Sequence, residues 1–271
     1  MPTPVAVLKA LWVYPLKSAA GVALGRSKVA LRGLEGDRRF MVVDPTGMLV
    51  TQRERAELAH VRTALHGTTL RLSAPGMPPL TLPLDVTAGP PTVAVMWTTP
   101  VEAVVVEAAT AWVSTFLGGD YRLVWMPDSA RRPYPGRTDT PLSFADGNPL
   151  HLLSEASLAD LNGRLATPVT TTHFRPNLVV GGCAAHEEDD WDTLQIGDLT
   201  LERLGPCARC MVVNVDPAAG THGHEPLRTL ARYRRVGQEV HFGGLYRIAS
   251  GVGAAIACGD PLLGERTHGA A

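Results

Sequence analysis

Two cysteines three positions apart, Cys207 and Cys210, are the residues of this chain best suited to hold a metal or pass electrons. They stand in Gly205-Pro206-Cys207-Ala208-Arg209-Cys210, at the end of a run of strand character, and Val215-Asp216-Pro217 comes next. A Cys-x-x-Cys pair supports several chemistries. As half of a zinc site it needs about two more Cys or His ligands. Cys183, His222 and His224 are available, but not as a pair with the spacing of zinc modules. As a thioredoxin-like pair it should open a helix, whereas Met211 to Val215 reads as a strand. Two buried thiols acting as small apolar residues is the plain alternative. Arg209 between them favours a thiolate, the form that binds metal. Soft thiolates suit zinc, copper or another sulfur-ligated metal centre, and spacing does not choose among these.

Three further stretches carry charge at expected strand ends: Tyr14-Pro15-Leu16-Lys17-Ser18, Gly36-Asp37-Arg38-Arg39-Phe40 and Phe174-Arg175-Pro176-Asn177. Lys17, Ser18, Arg38 and Arg175 are candidate phosphate or anion contacts, and ordinary turn residues are the alternative. The nine histidines lack a His-Glu-x-x-His spacing. Glycine-rich dinucleotide and phosphate loops and the Gly-x-Ser-x-Gly elbow are absent. Glu187-Glu188-Asp189-Asp190 reads as a solvated loop before it reads as a calcium site.

The elements that must position these residues are mostly short strands punctuated by Gly and Pro. Strands are expected at 5–16, 39–44, 48–52, 69–73, 80–84 and 93–97, and a hairpin around Gly197-Asp198 spans 194–204. Three helices are expected. One runs over 107–116 with Ala108, Trp112 and Phe116 inward, and Gly118-Gly119 stops it. A second runs from a Ser154 cap to about Leu165, and a third has Pro226 at its first position. Residues 128–146, rich in Pro, Arg, Asp and Gly, read as a long functional loop.

With 271 residues, a net charge of -1 and mixed surface signs, the chain gives no electrostatic case for nucleic acid. Arg131-Arg132 and Arg232, Arg234-Arg235 read as solvated faces or local anion contacts. Four cysteines are too few for a secreted disulfide framework. The N-terminal residues do not resemble a signal peptide, and no apolar run reaches the ~18 residues of a membrane span. A cytoplasmic, monomeric protein with reduced thiols is expected.

Taken in order, these motifs, together with Leu153-Ser-Glu-Ala-Ser-Leu-Ala-Asp-Leu-Asn162, resemble the MOSC family. The resemblance is to its two-domain branch, which includes the mitochondrial amidoxime-reducing component and bacterial YcbX-like proteins, and it runs from about Val5 to Leu263. It implies a mainly β fold with a few helices: an N-terminal β-barrel-like domain over 1–119, a MOSC domain over 120–264 and a tail over 265–271. It implies a molybdenum cofactor, a Mo-molybdopterin, between the domains, with Cys210, the second cysteine, as metal ligand. Lys17, Ser18, Arg38, Arg175 and Asn177 fall on positions that contact the pterin or its phosphate. Asp146, Asn148 and Arg209 join the same site, and Asp216 is a catalytic candidate beside Cys210. Asn148 stands where some relatives have Ser. The implied activity is two-electron reduction of small N-hydroxylated compounds. A cofactor carrier or sulfur-transfer module is the alternative, and pyridoxal phosphate binding is a further family association. Beyond Cys210 only Cys258 remains, so electrons are expected from a separate ferredoxin- or flavin-type protein.

Overall fold

The computed structural model describes residues 3–266. Seven strands form a closed barrel: β1 (Ala6–Val13), β2 (Leu150–Ser154), β3 (Leu178–Gly181), β4 (Trp191–Ile196), β5 (Leu199–Ala208), β6 (Glu239–Ser250) and β7 (Pro261–Arg266). Around the barrel the order is β2, β3, β1, β7, β4, β5, β6, and β6 pairs back onto β2. Closure leaves no unpaired strand edge. Alternation fills the interior: Leu8, Leu11 and Val13 of β1 pack with Leu152, Leu178, Leu194, Leu201 and Tyr246.

β1 comes from the start of the chain yet lies between β3 and β7, with Leu11 opposite Leu178 and Ala6 opposite Leu262. Conversely, strand Arg122–Trp125 joins Phe40–Val43 and Thr99–Val105 in a sheet completed by Pro91–Met96. Backbone pairing therefore crosses a cut between residues 119 and 120 in both directions. A second sheet, over 62–66, 69–73 and 80–83, and helix α1 (Glu107–Leu117) enclose an apolar core of Leu58, Leu70, Leu72, Trp112, Leu123 and Trp125.

Several local expectations hold. Gly118 ends α1 in the left-handed conformation, at φ 64°. The Ser154 side chain accepts from the Ser157 backbone N–H and caps α2 (Glu155–Asn162). Ile196 pairs with Leu199 across Gly197-Asp198. Others need correction. The inward stripe of α1 is Ala109, Trp112, Val113 and Leu117, and Ala108 is exposed, one step round the helix. α2 stops before Leu165, and the third helix, α3 (Leu227–Leu230), is one turn with Pro226 as its N-cap. Met211–Asn214 is a 3-10 turn rather than a strand, closed by Val213 N–H to the Cys210 carbonyl and Val215 N–H to that of Val212. The acidic run is no solvated loop: Glu188 is buried and accepts from Ser154 N–H and Ser157 Oγ, while Asp189 pairs with Arg234. β7 extends to Arg266, two residues into the expected tail, and 267–271 lie outside the described residues. Among the described residues no helix is long and apolar enough to cross a membrane.

Candidate active site

The strand ends named by the sequence meet at one cavity of ≈ 530 Å³, where the rim of the barrel faces the N-terminal sheets. β1 runs on through Tyr14 to Lys17-Ser18, locked to the next segment by Lys17 N–H to Phe40 O and Arg38 N–H to Tyr14 O. The loop before β2 brings Asp146 and Asn148, the loop before β3 brings Arg175 and Asn177, and the end of β5 brings Cys207 and Cys210. β5 reaches this point through register shifts against β6 at 203–205 and 206–208, with Gly205 at φ 142°. Such bulges bend a strand and re-aim the side chains beyond the bend.

Lys17, Ser18, Arg38, Asp146, Asn148, Arg175, Asn177, Arg209, Cys207 and Cys210 all line this cavity. Asp216 does not. Its carboxylate accepts from the Ala218 and Ala219 backbone N–H at 2.7 and 3.1 Å and faces a separate depression. That expectation is corrected: Val215-Asp216-Pro217 shapes an exposed turn and brings no group to the thiols.

The two cysteines occupy different settings. Arg209 Nη1 donates to Cys207 Sγ at 2.7 Å and its Nη2 to the Phe174 carbonyl at 2.8 Å. Burial pushes the Cys207 thiol pKa up, against the opposing pull of Arg209. Cys210 is exposed to the cavity, and its Sγ takes a hydrogen bond from Arg53 Nη2 at 3.0 Å. Arg209 therefore holds the half-buried thiol, and Arg53 serves the open one.

The cations are packed tightly. Arg38 and Arg175 lie over the Tyr14 ring, each guanidinium carbon 4.3 Å from its centroid. Arg38 is aimed by Asp37 at 2.6 Å, by Asn177 Oδ1 at 3.1 Å and by the Arg175 carbonyl at 3.1 Å. Arg175 donates to the Ala19 carbonyl at 2.6 Å. Burial, then the neighbouring Arg38, lowers the Arg175 pKa to about 10. Burial pushes the Tyr14 hydroxyl up to about 12. Lys17 is buried and donates to Asp146 at 2.5 Å and to the Phe144 carbonyl at 3.0 Å. Burial lowers its pKa against the pull of Asp146. Burial raises the Asp146 carboxyl, but the Lys17 ammonium outweighs it and holds it well below the usual range.

Five cationic side chains line the cavity (Lys17, Arg38, Arg53, Arg175, Arg209) against the carboxylates of Asp146 and Glu239. Among the described residues, five other than glycine have positive φ. Four of them, Ser18 at 67°, Arg38 at 47°, Trp97 at 58° and Arg175 at 54°, line this cavity. Left-handed backbone costs a side-chain-bearing residue about 1–3 kcal/mol, and such residues gather at functional sites.

Sequence reasoning missed four contributors. Arg53 follows the expected strand 48–52, and Trp97, expected to close the strand 93–97, stands in the turn after Met96. Arg132, grouped there with solvated basic residues, is buried and donates to the carbonyls of Ser143 and Ala145 at 2.5 and 2.6 Å, and so shapes the loop that carries Asp146. His151 is buried on β2 at the cavity wall, its Nε2 without a hydrogen-bond partner among the described residues. Burial, with Arg209 and Arg38 adding to it, holds that imidazole well below its ordinary pKa. Of these, only His151 had a sequence signal: a histidine inside an apolar strand.

Residues 5–120 match the MOSC N-terminal beta barrel domain, and residues 139–263 match the MOSC domain. The human mitochondrial amidoxime-reducing component 1 is 37% identical over 243 residues, covering 83% of this chain and 71% of that protein. This chain belongs to the MOSC family. The rat mitochondrial amidoxime reducing component 2 is 35% identical over 250 residues, covering 85% of this MOSC protein and 73% of its relative. A crystal structure of the YUAD protein from Bacillus subtilis is a looser likeness, with TM-score 0.41 and 9% identity over 95% of this chain and 93% of that one. The cavity offers no support for pyridoxal phosphate: its one lysine, Lys17, is held by Asp146 and Phe144.

Proposed function

We propose that this protein reduces small N-hydroxylated compounds by two electrons at a molybdenum–pterin centre in the cavity, with the Cys210 thiolate as metal ligand. The carrying observation is the convergence of one open thiol, five cations and left-handed backbone at a single cavity. The donor set fits the group. A phosphate takes charge-assisted bonds from Lys and Arg, a soft redox metal takes a thiolate, and the Arg209 Nε is buried without a partner among the described residues. The names of the human and rat relatives, amidoxime-reducing components, point to the same substrate chemistry.

The net reaction takes R–NH–OH, two electrons and two protons to R–NH2 and water. When bound, the cofactor supplies a two-electron centre able to accept oxygen, and the chain supplies binding and orientation. Lys17, Arg38 and Arg175 hold the phosphate end, with Ser18, Asn148 and Asp146 on the same wall. Asn177, engaged with Arg38, the His151 N–H and the Trp12 carbonyl, acts by holding Arg38 in place. Arg209 holds the Cys207 sulfur, and Cys210, the thiol exposed to the cavity, would be the metal ligand. The electrons are assigned to a separate ferredoxin- or flavin-type protein.

Metal and pterin analysis of purified protein, with benzamidoxime turnover on reduced viologen, tests the proposal. Molybdenum and pterin in equal amounts, with turnover on dye and none on NADH alone, are expected. Full loading without turnover of any N-hydroxylated substrate supports a carrier or sulfur-transfer role instead, and zinc in place of molybdenum overturns the assignment.

A further inference from the structure

Trp97 is doubly unfavourable as a folding choice. It is the first of two residues joining strands Pro91–Met96 and Thr99–Val105, since Met96 pairs directly with Thr99. Its φ of 58° suits glycine or asparagine at such a turn, and a bulky residue there is an outlier. Its side chain is not buried for its trouble: the residue is 40% exposed. A site that breaks two local rules without a packing gain is where function is to be sought.

The surroundings say which function. Trp97 lines the same cavity as Cys210. The Arg53 guanidinium lies over its indole, 4.6 Å from the ring centroid, and Arg53 Nη2 also reaches Cys210 Sγ at 3.0 Å. The guanidinium stacks on one face of the indole and also reaches the open thiol, so Arg53 links the ring to Cys210. Among the described residues lining the cavity, the other aromatic side chains offer less: Phe174 is buried under Arg209, His151 is buried, and His173 is a smaller ring.

We propose that Trp97 is the specificity-determining residue of this cavity, a stacking platform that selects planar, conjugated N-hydroxylated substrates over aliphatic ones. A substrate whose N–OH is conjugated to a ring gains the stacking surface while its N–O end lies near Cys210. An alkyl amidoxime has only its small C=N plane and no ring to place there. Arg53 is the positioning residue, fixing the indole relative to the thiol. The proposal rests on the reductase reading for its substrates but not for its binding step.

The test uses loaded protein with Trp97→Gly, which suits the positive φ and keeps the turn, and Trp97→Phe. Benzamidoxime and acetamidoxime are compared as substrates with reduced viologen, and pterin content is measured in every variant. Trp97→Gly is expected to lower kcat/KM for benzamidoxime about fivefold, carried by KM, as loss of one aromatic contact predicts. For acetamidoxime it should change less than about twofold, Trp97→Phe should recover most of the loss, and pterin content should not move. Equal losses on both substrates, or none on benzamidoxime, overturn the platform. Calorimetric titration of benzamidoxime separates this from the reductase reading. If wild type reduces neither compound, the reductase reading fails, and binding then decides the platform alone: weaker binding to Trp97→Gly than to wild type supports it. Equal binding, or none to either, overturns it.

Discussion

The active-site cavity and the depression around Asp216 hold similar residue types and differ in how those residues are satisfied. The depression is the larger, ≈ 730 Å³ against ≈ 530 Å³, and has histidines, carboxylates and two arginines around it. Yet several of its polar groups answer one another locally. Asp216 accepts two backbone N–H groups of its own turn, Asn214 accepts from the Leu227 N–H at 2.9 Å, and Arg228 pairs with Glu225 at 2.8 Å. In the cavity, arginines crowd one another, a lysine is buried and four side chains sit on left-handed backbone. Like charges forced together in a partly desolvated space call for an anion to complete them. Between these two, size favours the depression, and unmet electrostatics favour the cavity as the candidate site.

That contrast breaks first at the thiols. Cys210→Ser is expected to lower turnover more than about 100-fold, beyond what loss of a supporting residue costs, and to remove the protein sulfur from the molybdenum X-ray absorption spectrum. Cys207→Ser keeps the metal-bound sulfur count. The reverse pattern exchanges the roles of the two cysteines and removes the distinction drawn from Arg209 and Arg53. Next in size is Arg175→Ala, which should leave a folded protein whose pterin retention on dialysis falls about tenfold, the worth of a charge-assisted hydrogen bond. Unchanged retention there and in Arg38→Ala and Lys17→Ala would show that the cations do not need an anion.

A subtler probe is acid titration. The folded-state pKa of Asp146 is depressed by Lys17, so its contribution to stability is fully present above the ordinary carboxylate pKa of about 3.9 and is lost as pH falls through the lower, folded value. The melting-temperature gap between wild type and Asp146→Asn should be constant above that pH and close below it. A gap independent of pH down to the acid limit removes the Lys17–Asp146 pair from the account. The smallest effect belongs to the depression: Asp216→Asn should change stability by about 0.5 kcal/mol or less, with turnover unaltered. A large loss of kcat there would return Asp216 to the catalytic set and erase the contrast.

Much of the site is legible because its residues stand in short contiguous motifs. Tyr14 to Ser18, Gly36 to Phe40, Phe174 to Asn177 and Cys207 to Cys210 each fix a local turn, and each turn delivers the group its composition suggests. The same local reading misplaces Asp216: closeness to Cys210 along the chain is not closeness in space, and the 3-10 turn at Met211–Asn214 leads away. β-branched residues in that stretch read as a strand, while the closure of the turn depends on backbone bonds that composition does not reveal. Glu188 reads as solvated and Arg132 as a solvated face or local anion contact because burial of a charge is decided by partners elsewhere in the chain: Ser154 and Ser157 for one, the 143, 145 and 146 carbonyls for the other.

The sequence by itself determined the mainly β character, the helix ends at Ser154 and Gly118, the hairpin at Gly197-Asp198 and, among cavity residues, Lys17, Ser18, Arg38, Arg175 and the Cys207–Cys210 pair as candidates. Each rests on interactions within a few positions, where propensity and side-chain chemistry act directly. Only the tertiary structure decided that β1 closes the barrel between β3 and β7, that Arg53 serves Cys210 while Arg209 serves Cys207, and that Trp97 shares a cavity with the open thiol. The barrel closure and the placing of Arg53 and Trp97 beside Cys210 join segments far apart in the chain. They are set by the pairing of distant strands and by the packing of two β layers, which no local pattern encodes.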